Sequence, residues 1–490
     1  MLDFGAIFAA PAMTPLVLSV VVYLVVTIAI GLYAAKFVSN SRDYLVAGRG
    51  LPLYMNMATV FATWFGAETV LSVSATFVKD GLGGIPADPF GATFCLVFVA
   101  LFFARAFYRM DLLTIGDFYK KRYGKGVEVL TSIAVTLSYL GWTSAQLTAL
   151  GLVFNSLSGG AISLDAGILI GAVIVLVYTT FGGMWSVALT DLFQSVVIVA
   201  GLVYVAVLAS GMAGGFGAVM SHASDAGKFS FWPTGGSKEW FAFVAAWATL
   251  AIGSIPQQDV FQRVTSAKDE DTAVKGALLG GGAYFLLAFV PMFIAYAAFM
   301  AQPGLVKPLL EGDDARAIQL ILPNFVLGHM PMVAQVMFFG ALLSAILSTA
   351  SGALLAPTAL FTENVIKPLF GQMSDKRFLV ALRTVLVLFT AGVLVFALNN
   401  TSTMYEMVQN AYKVTLVGAF VPLVCGIYWS RATTQGALLS ALAGLASWGL
   451  AEAFYADAIV PPQIVGLAVS FAAMVVGSFA PQLVRDARQP

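Results

Sequence analysis

The sequence predicts an all-α integral membrane protein with about thirteen transmembrane helices. Hydrophobic residues make up 59% of its 490 residues and charged residues only 10%, whereas soluble domains carry roughly 25% charged residues. The apolar residues fall in runs long enough to cross a bilayer as helices, which takes about 20 residues each. The apolar–polar alternation of a membrane barrel is absent.

The runs lie at about 15–35, 53–78, 86–108, 127–156, 163–182, 185–210, 239–255, 273–301, 331–361, 377–398, 403–428, 435–455 and 461–480, and are read as one transmembrane domain over 1–490. The first run follows no positive charge and precedes Lys36, Arg42 and Arg49, so it reads as a span rather than a secretory leader. Of the 25 basic residues, nineteen fall on one set of alternate loops, five on the other, and Lys413 inside a run. Positive charge concentrates on the cytoplasmic side. The expected topology is therefore multi-pass in the cell (inner) membrane, N-terminus outside and C-terminus inside. The longest loops, near 211–238 and 302–330, then face outside. The second holds Asp313, Ala315 and an apolar ILPNFVL stretch expected to form a short lid helix.

Several function classes lack residues to carry them. Acidic and basic residues balance at 25 each, which points to no nucleic-acid partner. Cys95 and Cys425 sit within apolar runs and read as core residues. His222 and His329 stand apart near loops, and no HExxH, GxSxG or phosphate-binding loop occurs. An enzyme is therefore not expected, nor any cofactor.

Two runs are interrupted. MATVFATWFGAETVLSVSATFV (57–78) carries Gly66 and Glu68 at its middle. A carboxylate at mid-membrane marks a function or a buried pair. WATLAIGSIPQQDVFQRV (247–264) is broken by Gly253, Ser254 and Pro256. One interrupted helix opening each half is the sign of a transporter built on an inverted repeat, with its ligands at the breaks. A proline–glycine kink ahead of a loop also fits the second run.

LLSAILSTASGALLAP (342–357) places Ser344, Ser348, Thr349 and Ser351 in an apolar helix. Small residues there permit close helix packing, and hydroxyls bond back to their own helix. Ser348 and Thr349 also stand three and four residues after Ala345. Turned outward, they form an oxygen patch suited to a hard cation. Both readings stand at this point.

TTFGGMWSVALTDLFQ (179–194) resembles a signature of the sodium/solute symporter family, carried here by Gly182, Gly183, Asp191 and Gln194. DYLVAGRGLP (43–52), IPQQDVFQRV (255–264) and SAILSTASG (344–352) follow the family's order, and the resemblance covers about 15–430. It implies a LeuT-type five-plus-five core, over 53–210 and 239–428, with one extra N-terminal helix (15–35) and two C-terminal helices (435–480). It also implies sodium as coupling ion, held by the carbonyls of Ala62, Phe65 and Ala345 and the hydroxyls of Ser348 and Thr349, with Asp191 nearby.

The Ala-Thr-Trp before the first break resembles the high-affinity choline transporters, as do IPQQDVFQRV and Trp142 in YLGWTSAQ. There an aromatic cage holds a quaternary ammonium by cation–π attraction. Trp64 and Trp142 match two walls, but Gln257, Ala92 and Ser351 depart from the cage. Ala67-Glu68 resembles the sodium/galactose branch, where Thr69 replaces a glutamine. The candidate solute residues are Trp64, Gly66, Glu68, Thr69, Trp142, Trp247, Gln257 and Lys413. Lys413 is expected to pair with Glu68, to meet a substrate carboxylate, or to extend toward the membrane surface.

The expected function is sodium-coupled symport of a small polar organic solute across the lipid bilayer. A proton-coupled or uncoupled carrier on the same fold is the first alternative, and a membrane solute sensor the second. The sequence leaves the oligomeric state open.

Overall fold

The computed structural model describes residues 15–485 and 487, without 313, 315 and 372, and without the side chains at 178, 181 and 182. Asp313 and Ala315 of the expected lid loop and Arg488 lie outside the described residues. Those residues form helices and connecting turns, with one isolated bridge at Leu51.

Helices occupy each of the thirteen apolar runs. They are α1 (Pro15–Ala34), α2 (Leu53–Trp64) with α3 (Glu68–Asp80), α4 (Pro86–Met110), α5 (Lys125–Leu157), α6 (Leu164–Val177), α7 (Gly183–Met212), α8 (Ser237–Ala251) with α9 (Gln258–Thr265), and α10 (Glu270–Ala301). After α11 (Ala317–His329) come α12 (Met332–Phe370), α13 (Asp375–Asn399), α14 (Met404–Tyr428), α15 (Thr434–Tyr455) and α16 (Pro462–Phe479). Among the described residues, nine helices are long and apolar enough to cross a membrane, or ten with the bent α2–α3 pair as one span. The loop expected to carry a short helix holds α11 and a further helix at Pro303–Glu311.

Helix starts follow local chemistry. Asp269 caps α10, its carboxylate accepting from Thr272 N at 2.7 Å. Thr403 opens α14 as a capping box with Glu406. Such caps satisfy N–H groups that a helix start leaves free.

The alternate loops of the charge pattern converge at two ends. At one, Arg42 and Arg49 meet Asp111, Arg105 and Arg109 meet Glu270, and Ser41 bonds Asp375 at 2.9 Å. Partial burial raises the Asp111 carboxyl, but Arg49 and Arg42 outweigh it and hold it below the usual carboxylate value. Leu51 and Lys268 join the start of α2 to the end of α9 here, with Leu51 N on Ser266 O at 3.0 Å. At the opposite end Lys228 Nζ bonds Lys79 O at 2.7 Å and Gln319 accepts from Met404 N at 2.9 Å.

α2, α3, α9 and the middle of α12 are buried nearly throughout. α12 packs on α7 and α5, α1 covers α7, and α15 and α16 pack on each other beside α14.

The α6–α7 bend gives the glycine of the GG motif a steric reason. Gly183 has φ +52°, a conformation that costs any other residue. A Cβ there would meet the Tyr44 carbonyl and ring. The Tyr44 hydroxyl caps the opened helix, donating to the carbonyls of Thr179 (3.0 Å) and Thr180 (3.2 Å). Gly183→Ala should cost about 2–4 kcal/mol through strain and displacement of Tyr44, read as a lowered melting temperature of the purified protein. An unchanged melting temperature would remove this role.

Candidate functional site

The break between α2 and α3 is the centre of the site. The two helices bend by 56°. In a continuous helix the carbonyls of Ala62 and Thr63 would accept from Gly66 and Ala67. Here Gly66 N turns to Trp64 O at 3.1 Å, and Ala67 N donates to Gln146 Oε1 on α5 at 3.0 Å. The Thr349 hydroxyl on α12 takes the freed carbonyls, lying 3.3 Å from Ala62 O and 3.1 Å from Thr63 O.

The four hydroxyls of LLSAILSTASGALLAP therefore divide. Ser344 bonds back to Gly340 O at 2.7 Å and meets Tyr23 at 2.6 Å. Ser351 bonds back to Ser348 O at 2.9 Å. Ser348 and Thr349 turn outward, Thr349 to the break and Ser348 to Asp191 Oδ1 on α7 at 2.6 Å. Ala62, Ser348, Thr349 and Asp191 are thus joined by direct contacts at one buried place, with Phe65 at the break and Ala345 one turn before Thr349.

On the other side of the break lie most of the solute candidates. Glu68 is 3% exposed. Its carboxylate accepts from Gln146 Nε2 at 2.5 Å and from Trp142 Nε1 at 3.2 Å. Gly66 leaves the room, since a Cβ on it would stand in that carboxylate. Thr69 donates to Asp88 Oδ2 at 3.2 Å, and Asp88 also accepts from the Tyr284 hydroxyl. The Trp64 ring stacks on Tyr412 with centroids 6.3 Å apart and stands edge-on to Tyr284 at 6.5 Å. Trp142 lies 5.9 Å from Tyr412. The second break, at 252–257, reaches the same tyrosine: a Cβ on Gly253 would lie 2.9 Å from Tyr412 O. Thr415 donates to the freed Gly253 carbonyl at 2.7 Å, and Gln257 donates to Ser138 at 3.0 Å.

Two expected members lie elsewhere. Lys413 Nζ is 3.7 Å from Glu452 of α15, so Glu68 is not its partner; its side of α14 faces the C-terminal helices. Lys413→Ala should leave uptake within about twofold and change stability by no more than about 1 kcal/mol, as partly exposed pairs do. Lost uptake in that variant would return Lys413 to the site. Trp247 stands edge-on to Phe94 (5.5 Å) and Phe98 (6.3 Å). Its position on α8 ahead of the break directs it to these rings and away from Trp64.

Sequence reasoning missed Gln146, Asp88, Tyr284, Tyr412 and Arg263. Gln146 had a signal: it follows Trp142 by four residues, on the same face of α5. Arg263, counted with the loop cations, is 3% exposed and donates to Thr63 Oγ1 at 3.0 Å. Tyr284 and Tyr412 sit on helices with no local mark of a site.

Beside Asp88, a cavity of about 470 Å³ is lined by Pro86, Trp232, Glu239, Phe243, Tyr405 and Gln409. It lies at the end that holds Lys79 and Lys228. Tyr405 N bonds Ser72 of α3 at 3.2 Å, which ties the cavity wall to the broken helix.

The chain is similar to known transporters over most of its length. It is 26% identical over 453 residues to the high-affinity choline transporter 1 of Caenorhabditis elegans, covering 88% of this chain and 76% of that one. It is 26% identical over 480 residues to the osmoregulated proline transporter OpuE of Bacillus subtilis, covering 92% and 93%. In fold it matches a Na+-coupled sialic acid symporter in a substrate-bound outward-open state, with a TM-score of 0.80, 18% identity, and 95% and 98% of the two chains covered. It also matches Mhp1, a nucleobase-cation-symport-1 family transporter, with a TM-score of 0.60, 19% identity, and 92% and 98% coverage. These neighbours have the LeuT-type fold. Residues 44–444 match the sodium:solute symporter family, and the chain is a multi-pass membrane transporter belonging to that family.

Proposed function

We propose that the protein couples the entry of sodium to the uptake of a small polar organic solute by alternating access. The observation that carries this reading is Thr349, whose hydroxyl bridges α12 to the carbonyls freed at the α2–α3 break. Sodium is cargo here, and the oxygen donors suit a hard cation. It would be held by the carbonyls of Ala62, Phe65 and Ala345 and the hydroxyls of Ser348 and Thr349, with Asp191 supplying negative charge. Its binding ties α2 to α12 and favours the outward-open form.

The solute sits across the break, among Trp64, Gly66, Glu68, Thr69, Trp142 and Gln257, with Tyr284 and Tyr412 as further aromatic walls. The cavity near Tyr405 is its outer approach, with the basic end in the cytoplasm and the N-terminus outside. Rocking of the bundle then exposes both ligands inward. One sodium ion moving down 100 mV supplies about 2.3 kcal/mol, and its concentration gradient adds to this.

The test is thermal stability of the purified protein with choline and betaines, proline and other amino acids, sugars, monocarboxylates and sialic acid, each in sodium and in potassium. A ligand that binds the folded state raises its melting temperature. A solute that stabilises only in sodium supports the reading and identifies the solute class. Equal stabilisation in both salts would replace it with a proton-coupled or uncoupled carrier.

A further inference from the structure

Three charged side chains lie buried near the break: Asp191, Asp259 and Arg263. Each has orphaned atoms. Among the described residues, Arg263 Nη1 and Nη2, Asp191 Oδ2 and Asp259 Oδ2 have no hydrogen-bond partner. Buried polar atoms are rarely left so. A buried guanidinium that acts on two buried carboxylates, yet is paired with neither, has two alternative partners.

Both partners are within reach. Asp259 and Arg263 are four residues apart on α9 and share a face. Asp259 is already held by the Tyr139 hydroxyl. Toward Asp191, the contacts are continuous. Arg263 Nε donates to Thr63 Oγ1 at 3.0 Å, Thr63 O accepts from Thr349, and neighbouring Ser348 holds Asp191. The guanidinium also lies against α12 where Gly352 leaves room, since a Cβ there would be 2.5 Å from Nη2. Gly352 is one turn beyond Ser348 on the same face, about 6 Å along the axis. The fork of Arg263 thus stands one helical turn from the carboxylate it would pair with. An anionic ligand for this guanidinium is disfavoured by the two carboxylates beside it.

We propose that Arg263 is a built-in counter-ion that takes Asp191 when sodium leaves and gives it up when sodium binds. This rests on the sodium reading above. The three groups sum to one negative charge, which one sodium ion neutralises. With the ion present, Asp191 faces sodium and Arg263 faces Asp259. Without it, Arg263 turns along α12 to Asp191. The guanidinium competes with sodium, lowers its affinity and speeds its release to the cytoplasm. Gly352 keeps the path open.

The test measures the sodium concentration that gives half-maximal thermal stabilisation of the purified full chain, with potassium holding ionic strength constant. Arg263→Gln removes the competitor and should lower that concentration about fivefold or more. Arg263→Lys keeps the charge but loses the planar fork, and should lower it in the same direction. A fixed background charge would leave the lysine variant at the wild-type value, which would overturn the proposal. In Asp191→Asn, adding Arg263→Gln should change nothing further; an additive shift would also overturn it. Should the Arg263 variants not fold, Gly352→Ala displaces the guanidinium with every charge retained and should likewise lower the sodium requirement. An unchanged value there would refute the switch. If the wild type gains no stability from sodium at all, the sodium reading fails and this inference with it. A normal sodium response left intact in the Arg263 and Gly352 variants overturns this inference alone.

Discussion

Thr349→Ala is expected to raise the sodium concentration for half-maximal stabilisation and uptake by roughly tenfold or more, each decade being about 1.4 kcal/mol. The substitution removes one proposed oxygen ligand. It also leaves the carbonyls of Ala62 and Thr63, 3.3 and 3.1 Å from that hydroxyl, without their partner. Ser348→Ala should act in the same direction, because it removes a second oxygen and releases the Asp191 carboxylate it holds at 2.6 Å. Ser344→Ala and Ser351→Ala are the controls. Their hydroxyls bond back to their own helix, and each should shift sodium dependence by less than about twofold. Sodium dependence unchanged in both Thr349→Ala and Ser348→Ala would remove the site from this mechanism.

Gly66→Ala is expected to reduce uptake to background while the protein still inserts and folds. The added methyl would stand where the Glu68 carboxylate now sits. Glu68 would then leave Trp142 and Gln146, which hold it at 3.2 and 2.5 Å. Gln146 also accepts from Ala67 N, so a single displacement loosens both the carboxylate and the N–H just ahead of α3. An unpaired buried carboxylate is costly, and the break would rearrange to relieve it. Counterflow in proteoliposomes tests this directly. Wild-type exchange by Gly66→Ala would show that neither Glu68 nor the shape of the break matters for transport.

The two substitutions probe opposite sides of one break, and their signatures differ. Thr349→Ala should be rescued by high sodium, because it weakens a ligand set without filling space. Gly66→Ala should not be rescued by sodium, because it obstructs the solute side. A Gly66→Ala protein restored by sodium alone would mean that the two sides are a single site.

The sequence by itself determined the class of protein, the positions of its helices and the two breaks in them. Those features rest on local chemistry. Long apolar runs need a bilayer, and a mid-run carboxylate beside Gly66 and the clustered Gly253, Ser254 and Pro256 mark the breaks, whereas isolated residues such as Pro291 leave their helix continuous. The same local reading placed Ser348 and Thr349 together on a possible oxygen patch, but it did not distinguish them from Ser344 and Ser351. Only the tertiary structure decided that, by showing that Thr349 meets the break and Ser348 meets Asp191, while Ser344 and Ser351 bond back to their own helix. It also moved Lys413 to Glu452, set Gln146 and Trp142 on Glu68, brought Tyr284 and Tyr412 to Trp64, and buried Arg263 against Thr63 and Gly352. Each of these outcomes depends on which face of a helix meets which neighbour across a long stretch of chain. A uniformly apolar helix carries little amphipathic pattern to announce that face, so packing alone determines it.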